Sequence, residues 1–327
     1  PMKALLCRQF GPIEQLLLED VPVPEPGPKQ VRIDVKAASV NFPDALIVQG
    51  LYQVKPALPF SPGAEFAGVV SAIGEGVKHL KVGDRVIAFG GHGAFAEECV
   101  VDAVRVMPLP DDMDFETGAS FVLTYCTSLH GLKDLGHLQP GETLLVLGAA
   151  GGVGIAAVEI AKAMGARVIA AASSEDKVAL CKERGADEVI NYGTEDLKDR
   201  LKALGGEKGI DAVYDPVGGA YAETALRALA WRGRFMVIGF AAGDIPKIPL
   251  NLALLRERSI IGVYWGDSLR HNPQEQPANM AQLMGWFRAG KVKPVISERV
   301  SLAEAAAAIG KMANRQVKGK VVVLPEA

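Results

Sequence analysis

Between residues 143 and 264, short apolar segments alternate regularly with helical segments, and this alternation constrains the fold more than any other feature of the chain. The apolar segments are continuous rather than apolar at every second residue, which is typical of strands buried on both faces. We predict strands at 143–148, 167–172, 188–191, 210–215, 234–239 and 260–264, and helices at 152–164, 175–184, 195–204 and 220–229. Strands and helices in this order predict an α/β fold with a parallel sheet covered on both faces.

The segments on either side have a different character. The first 120 or so residues contain β-rich runs at 30–40, 65–74 and 95–106, separated by Pro- and Gly-rich turns. After residue 264 we expect helices at 282–289 and 303–312 and strands at 295–300 and 320–324. A length of 327 residues suits two domains. We therefore predict an α/β domain at 124–264, inserted between 2–123 and 265–327 of a β-rich domain.

The composition limits where the protein works and what it binds. A net charge of −3 gives no reason to expect nucleic acid or an anionic membrane as a partner. No apolar run approaches the roughly 20 residues of a membrane span, and no leader peptide is recognisable. The four cysteines are scattered and form no C-x-x-C pair, so we expect free, buried thiols. These features predict a cytoplasmic protein with a small-molecule partner.

A glycine-rich loop lies between the first predicted strand and the first predicted helix. Residues 148–154 read Gly-Ala-Ala-Gly-Gly-Val-Gly. This is a dinucleotide fingerprint in which Ala149 replaces the first glycine. Small residues let the backbone approach a pyrophosphate, whose charge then lies at the helix N-terminus. The strand before it and the helix after it supply the context that such a motif needs. The predicted contacts are Ala150, Gly151, Gly152, Val153 and Gly154.

The end of the second predicted strand indicates which dinucleotide the loop binds. An NAD site usually has an acidic residue there to accept the ribose hydroxyls, whereas this chain has Ala172. Ser173, Ser174 and Lys177 follow, and their donors suit a 2′-phosphate. The alternative is that Lys177 is only a solvated helix residue and that Glu175 serves the ribose. We favour NADPH (NADP) as the cofactor.

The glycine loop is part of a longer pattern that resembles a known family. Residues 141–154 read Gly-Glu-x-x-Leu-x-x-x-Ala-Ala-Gly-Gly-x-Gly, and Lys162 follows. This resembles the signature of the quinone oxidoreductase/zeta-crystallin type of the medium-chain dehydrogenase/reductase superfamily. Further matches lie at 40–44, 62–68, 82–86 and 319–322. Glu159 stands where the signature has glutamine, and we expect a surface-facing helix position there.

The resemblance implies a fold, a cofactor site and the lack of a metal. It implies a Rossmann-type doubly wound parallel sheet domain plus a β-rich GroES-like domain. Zinc-containing relatives ligate their catalytic metal with Cys, His and Cys, and the corresponding positions here are Asn41, Ala64 and Leu123. Alanine and leucine cannot bind a metal, and one amide does not make a tetrahedral site. The five histidines form no ligand-spaced pair, so we expect no metal.

The resemblance also implies further cofactor contacts. Asn41 and Thr127 fall where the family brackets the nicotinamide, and Tyr192 falls where an aromatic residue lies by the adenosine phosphate. Thr127-Ser128-Leu129 departs from the usual Thr-Ala-Tyr of the family. The remaining implied contacts follow later strands or lie near the chain end: Val217, Gly239, Phe240, Tyr264, Trp265 and Arg315.

Without a metal there is no Lewis acid to activate an alcohol, so we expect hydride transfer to an electron-poor acceptor. Quinones fit this, and so do enones and enals, which the motifs do not distinguish. Tyr52 either donates a hydrogen bond to the acceptor oxygen or uses only its ring. The catalytic candidates are thus Asn41, Tyr52 and Thr127. A non-catalytic, crystallin-like or sensor-like NADPH-binding protein is the alternative from another class of function.

The apolar strand at 260–263 predicts a homodimer.

Overall fold

The computed structural model describes all residues from 1 to 327. The strands are β1 (Met2–Leu6), β2 (Leu17–Val21), β3 (Gln30–Ser39), β4 (Glu65–Ile73), β5 (Arg85–Phe89), β6 (Glu98–Asp102), β7 (Val106–Pro108), β8 (Thr143–Val146), β9 (Arg167–Ala172), β10 (Glu188–Asn191), β11 (Ile210–Asp215), β12 (Leu229–Val237), β13 (Ser259–Gly262), β14 (Ile296–Val300) and β15 (Lys320–Val323). The helices are α1 (Phe42–Val48), α2 (Phe115–Ala119), α3 (Val122–Leu129), α4 (Gly152–Ala163), α5 (Glu175–Glu183), α6 (Leu197–Gly205), α7 (Tyr221–Arg227), α8 (Asn251–Leu254), α9 (Trp265–His271), α10 (Gln276–Arg288) and α11 (Ala305–Ala313). A π-helical turn at His130–Leu135 continues α3.

The chain divides into two compact units. One, here called the β-rich unit, comprises Pro1–Leu123 and Pro294–Ala327. The other, the α/β unit, comprises Thr124–Lys293. Residues 265–293 therefore lie with the α/β unit, whereas the sequence assigned them to the β-rich domain. The reason is that α10 packs on the helical segment that opens the α/β unit, where Asn279 donates to Asp134 Oδ2 at 2.8 Å.

The α/β unit is built on one parallel sheet. Its strand order is β10-β9-β8-β11-β12-β13, and every neighbouring pair is parallel. The strand and helix alternation predicted this parallel sheet, and the family resemblance implied its Rossmann-type, doubly wound order. The chain returns to the centre between β8 and β11, so the order of strands reverses there. In such sheets ligands bind at that point, beyond the carboxyl ends of the strands.

Continuous apolar strands form the core of the α/β unit. All six residues of β11 are buried, and so are the last five of β9. Leu145, Ile169 and Val213 are fully buried at the centre of the sheet. α6 starts at a polar cap, because the Asp196 side chain accepts the backbone N–H of Asp199. The four cysteines are free and buried, as the sequence predicted.

The β-rich unit contains a seven-stranded sheet with the path β14-β15-β3-β4-β5-β7, and β6 pairs with β3. β15, near the end of the chain, pairs antiparallel with β3, with Val322 opposite Ser39. This pairing brings residues near 320 to the carboxyl end of β3. The unit therefore depends on contacts between the two ends of the sequence. No helix in the structure combines the length and apolar character needed to span a membrane.

Candidate cofactor site and its surroundings

The glycine loop lies at the centre of the α/β sheet, between β8 and α4. Gly148 has a φ of 57°, a left-handed conformation that favours glycine. A Cβ on Gly154 would lie 2.4 Å from the carbonyl oxygen of Gly148, so only glycine lets α4 start this close to the loop. A Cβ on Gly151 would instead meet only that same oxygen, at 3.6 Å, which leaves open space above the loop. The loop thus combines a tight turn with room for a ligand.

The N-terminus of α4 has the properties of an anion site. No side chain caps the helix at Gly151, and its first turn contains no acidic residue. The first backbone N–H groups of a helix have no intrahelical acceptor and carry partial positive charge. These groups and the open space above Gly151 fit the pyrophosphate of a dinucleotide. The predicted residues 150–154 all lie in this segment.

A second cluster lies beside it, at the end of β9. Ala172 is buried and carries no polar side chain. Lys177 Nζ lies 3.4 Å from Ser173 Oγ, one turn into α5. The backbone N–H of Tyr192 donates to the carbonyl of Ala172 at 3.0 Å, because β10 pairs with β9. Three of the residues predicted to bind the adenosine end, Ser173, Lys177 and Tyr192, are therefore brought together.

Two further residues of this cluster already have partners. The Ser174 hydroxyl donates to the carboxylate of Asp176. Glu175, the alternative ligand for a ribose, accepts a hydrogen bond from Asn191 Nδ2 at 2.7 Å. Glu175 thus fastens α5 to the end of β10, and one of its oxygens is used for that contact.

The ends of β11 and β12 form the other side of the glycine loop. A Cβ on Gly148 would lie 2.7 Å from Val217 Cγ2, so Val217 borders the loop directly. Asp215 is buried and accepts the N–H groups of Val217 and Gly218 at 2.8 and 2.9 Å. Burial raises the pKa of this carboxyl, and those two hydrogen bonds oppose the rise. Phe240, another predicted contact, lies beside Gly218, where a Cβ would be 2.9 Å from its Cδ1.

Thr127 lies on α3, next to a residue that sequence reasoning did not single out as functional. The neighbouring Ser128 is fully buried, and its hydroxyl donates to the carbonyl of Val153 at 2.9 Å. The same hydroxyl shares a hydrogen bond of 2.8 Å with Tyr214 of β11. Ser128 therefore ties α3 to the glycine loop and to the central sheet. The signal was present in the departure from Thr-Ala-Tyr, where serine replaces alanine.

The remaining predicted contacts are divided between the two units, with Tyr264 and Trp265 in the α/β unit and Tyr52 and Arg315 in the β-rich unit. Tyr264 is partly exposed at the start of α9, whereas Trp265 is buried and its Nε1 donates to Gln276. In the β-rich unit, Tyr52 packs against the core of the unit. Arg315 follows α11 in an exposed left-handed conformation with a φ of 56°.

Asn41, a predicted catalytic residue, belongs to a buried polar network in the β-rich unit. Lys320 Nζ donates to Asn41 Oδ1 at 2.5 Å and to Glu65 Oε1 at 3.2 Å. The Asn41 amide nitrogen donates to Ser39 Oγ and to Glu65 Oε1, both at 3.2 Å. Both ends of the amide are thus engaged inside the protein. Its catalytic role stays a prediction.

The same network bears on the zinc position implied by dehydrogenase relatives. Of Asn41, Ala64 and Leu123, only Asn41 offers a ligand atom, and the ammonium of Lys320 occupies it. Leu123 contributes a backbone N–H to Glu65 Oε2 at 2.9 Å. A cation next to a buried ammonium would be repelled. These residues do not fit a catalytic zinc ion.

Glu159 corrects a prediction, because it does not face the surface. It is buried on α4, where it accepts the Tyr125 hydroxyl and, at 3.1 Å, Arg184 Nη1. The backbone N–H of Lys293 also donates to it, at 3.3 Å. Burial raises the pKa of Glu159, and these partners oppose the rise. The sequence pattern of the helix did not predict this burial, since the partners of Glu159 come from other parts of the chain.

Known proteins resemble the chain over nearly its whole length. Residues 27–111 match the alcohol dehydrogenase GroES-like domain, and residues 152–286 match the family described as zinc-binding dehydrogenase. A quinone oxidoreductase of Pseudomonas aeruginosa is 37% identical, over 99% of this chain and 99% of its own. The quinone oxidoreductase-like protein 2 homolog of Nematostella vectensis is 38% identical, over 98% and 88%.

The chain belongs to the quinone oxidoreductase type of the medium-chain dehydrogenase/reductase superfamily. A mycobacterial member of this structural group, solved in complex with NADPH, superposes with a TM-score of 0.92 at 33% identity and covers 99% of this chain and 100% of its own. Solved neighbours also include an NAD-dependent alcohol dehydrogenase at 34% identity and the CurK enoyl reductase at 29%, with TM-scores of 0.89 and 0.88. Each of these two pairs aligns over 99% of both chains. These relatives and neighbours are thus oxidoreductases whose names give different substrates.

Proposed function

We propose that this protein is an NADPH-dependent quinone oxidoreductase that works without a catalytic metal. The observation that carries the proposal is the end of β9, where Ala172 replaces an acidic residue and Lys177 lies 3.4 Å from Ser173. A solved neighbour is described as NAD-dependent, so overall likeness does not choose the cofactor. The lysine at this strand end supports NADPH, because an ammonium group favours a 2′-phosphate.

Each part of the α/β site has a task in this proposal. The N–H groups at the start of α4 hold the pyrophosphate, and the serine and lysine after β9 hold the 2′-phosphate. Val217 and Phe240 border the ligand at the centre of the sheet, and Ser128 holds α3 against the loop. Bound NADPH would supply a hydride, and a quinone that accepts it together with a proton becomes a hydroquinone.

The metal-free part of the proposal rests on Asn41, Ala64 and Leu123, and a chelator tests it. We expect 1,10-phenanthroline or EDTA to leave the reductase rate within about twofold of the untreated protein. Loss of most of the activity, restored by added zinc, would contradict the proposal. A zinc-containing alcohol dehydrogenase treated in parallel is the positive control.

Enones and enals are the second class of acceptor, and the CurK enoyl reductase is a structural neighbour in whose name such chemistry appears. Both classes need a hydrogen-bond donor for the oxygen that becomes negative. Tyr52 is the candidate donor in the β-rich unit. Tyr52→Phe should lower kcat with little change in cofactor affinity if the hydroxyl acts, and should change neither if only the ring matters.

One experiment tests the proposal as a whole. NADPH oxidation is followed at 340 nm with a panel of quinones, enones and enals, and with NADH in place of NADPH. We expect the highest kcat/KM with NADPH and a quinone. Turnover with enones alone would move the acceptor to the second class. NADPH binding without turnover on any acceptor would favour the crystallin-like or sensor-like alternative.

A further inference from the structure

A cluster of metal-ligating side chains lies in the α/β unit, outside the cofactor loop. His130 and Asp134 lie one turn apart on the π-helical segment, and Glu275 ends the short turn before α10. Their ligand atoms all lie within 4.8 Å of one another. A π-helical turn is rare and is often found at functional sites.

The distances within this cluster suit one small divalent ion. His130 Nδ1 lies 2.9 Å from Asp134 Oδ2 and 3.6 Å from Glu275 Oε2. Zinc binds nitrogen and oxygen ligands at about 2.0–2.1 Å, so neighbouring ligands of a tetrahedral site are about 3.3 Å apart. The two measured distances lie on either side of that value. Small side-chain movements would place all three atoms around one ion.

The charges of the cluster also favour a cation. Neither Asp134 nor Glu275 forms an ion pair with a lysine or arginine, and the imidazole of His130 is their only basic partner. Two carboxylates beside one imidazole leave negative charge uncompensated in a partly buried place. A divalent cation would neutralise it.

The surroundings provide a support and an access route. Buried Asn279 donates to Asp134 Oδ2 at 2.8 Å, and such outer contacts orient metal ligands. The side-chain exposure rises from 6% at His130 to 17% at Asp134 and 39% at Glu275. An ion can therefore reach the cluster from the Glu275 side.

We propose that His130, Asp134 and Glu275 form a structural Zn²⁺ site, with water as the fourth ligand. Zinc would bind His130 through Nδ1, with the ring N–H then on Nε2, and Asp134 Oδ2 would bind the ion in place of its hydrogen bond with the ring. The ion would connect the π-helical segment to the start of α10 and would stabilise the packing of the two. The site belongs to the α/β unit, whereas Asn41, Ala64 and Leu123 belong to the β-rich unit. It differs from the sequence-based expectation of no metal, because one histidine and two carboxylates form it without the histidine pair that the sequence lacks. It does not depend on the proposed reductase activity.

Zinc titration of the whole protein tests this proposal. EDTA-treated and desalted protein is titrated with ZnCl₂ against a chromogenic chelator and, separately, by calorimetry. We expect one Zn²⁺ per chain at micromolar concentration or below and a higher Tm. Glu275→Gln, at the most exposed ligand, and Asp134→Asn should each weaken binding about tenfold or more.

A matched control lies on α9, where His271 Nε2 is 3.5 Å from Asp267 Oδ2 with the same four-residue spacing but without a third ligand. Asp267→Asn should leave zinc binding unchanged. X-ray absorption should show only nitrogen and oxygen neighbours near 2.0–2.1 Å, whereas a sulfur neighbour near 2.3 Å would place the ion on a cysteine and overturn the proposal. Binding only at millimolar zinc, or binding that survives both Glu275→Gln and Asp134→Asn, would overturn it too.

Discussion

Lys320 Nζ lies 2.5 Å from Asn41 Oδ1, although 279 positions separate the two residues in the sequence. The same ammonium is 3.2 Å from Glu65 Oε1, and the Lys320 and Glu65 side chains are almost wholly buried. The antiparallel pairing of β15 with β3 makes this contact, because it sets the end of the chain beside the residues that follow β3. The network thus includes Asn41, one of the three positions at which the family resemblance implies zinc ligands in zinc-containing relatives.

Removal of the Lys320 charge should destabilise the protein strongly. Lys320→Met leaves Glu65 buried without its counter-charge, and breaking a buried pair in this way costs about 3–5 kcal/mol. Urea unfolding measures the loss. The control is Lys36→Met, where a partly exposed lysine pairs with Glu326 and the expected loss is about 0–1 kcal/mol. The double variant Lys320→Met/Glu65→Gln should recover part of the loss. Equal effects of Lys320→Met and Lys36→Met would argue against a charged buried pair.

Asp44 should make the stability of the protein depend on pH. Burial raises the pKa of this carboxyl from 3.8 to about 7, against the effect of the N–H groups of Asn41 and Gly63. Between those two values the folded state binds more protons than the unfolded state, so the stabilisation present below pH 4 is lost as the pH rises to 7. Each pKa unit is worth about 1.4 kcal/mol, which sets an upper limit of about 4 kcal/mol.

The measurement compares the free energy of unfolding of the wild type with that of Asp44→Asn from pH 4 to 8. The wild type should lose stability relative to the variant as the pH rises, because the amide does not titrate. Asp102→Asn, at an exposed position of the same unit, should follow the wild-type curve. Parallel curves for wild type and Asp44→Asn would show that Asp44 does not titrate in this range.

Lys177→Ala should weaken NADPH binding by roughly ten- to a hundredfold, because one charge-assisted contact is worth about 1.5–3 kcal/mol. NADH affinity should hardly change, since its ribose carries no phosphate. Ala172→Asp should shift preference towards NADH by repelling the phosphate and accepting ribose hydroxyls. Fluorescence titration of NADPH and NADH against the wild type and these two variants measures the six affinities. Lys182→Ala, on the exposed side of the same helix, is the control. If Lys177→Ala weakened the binding of NADPH and NADH equally, the lysine would not contact the 2′-phosphate.

We also predict a homodimer that forms along β13. This strand is the last of the parallel sheet, and an unpaired edge invites pairing with a second copy. Exposed apolar side chains lie on β13 and on the two elements before it in the sequence: Ile260 on β13, Trp231 on β12 and Leu254 on α8. Sedimentation should give a dimer for the wild type at micromolar concentration and a monomer for Ile260→Lys. Val104→Lys, at an exposed apolar residue of the β-rich unit, should leave the dimer intact. A monomeric wild type would contradict the prediction.

The parts of the fold that the sequence predicted well are encoded by residues close together in the sequence. β9, β10 and β11 occupy the predicted residues, because each is a short apolar run between turn signals. The prediction failed at the start of β12, which begins at Leu229 rather than at residue 234. Leu229 pairs with Ile210 ahead of an irregularity in the register, and such a pairing leaves no pattern in either segment alone.

The sequence by itself determined the parallel α/β sheet, the glycine loop and the lack of an acid after β9, because each is encoded within a few neighbouring residues. Only the tertiary structure decided which side chains meet across long separations. It buried Glu159 against Arg184, engaged the Asn41 amide with Lys320 and brought Glu275 to the His130 side chain. These contacts arise when strands and helices pack. The energy of a buried polar group depends on its hydrogen-bond partners, and a local sequence pattern does not predict which residues these are.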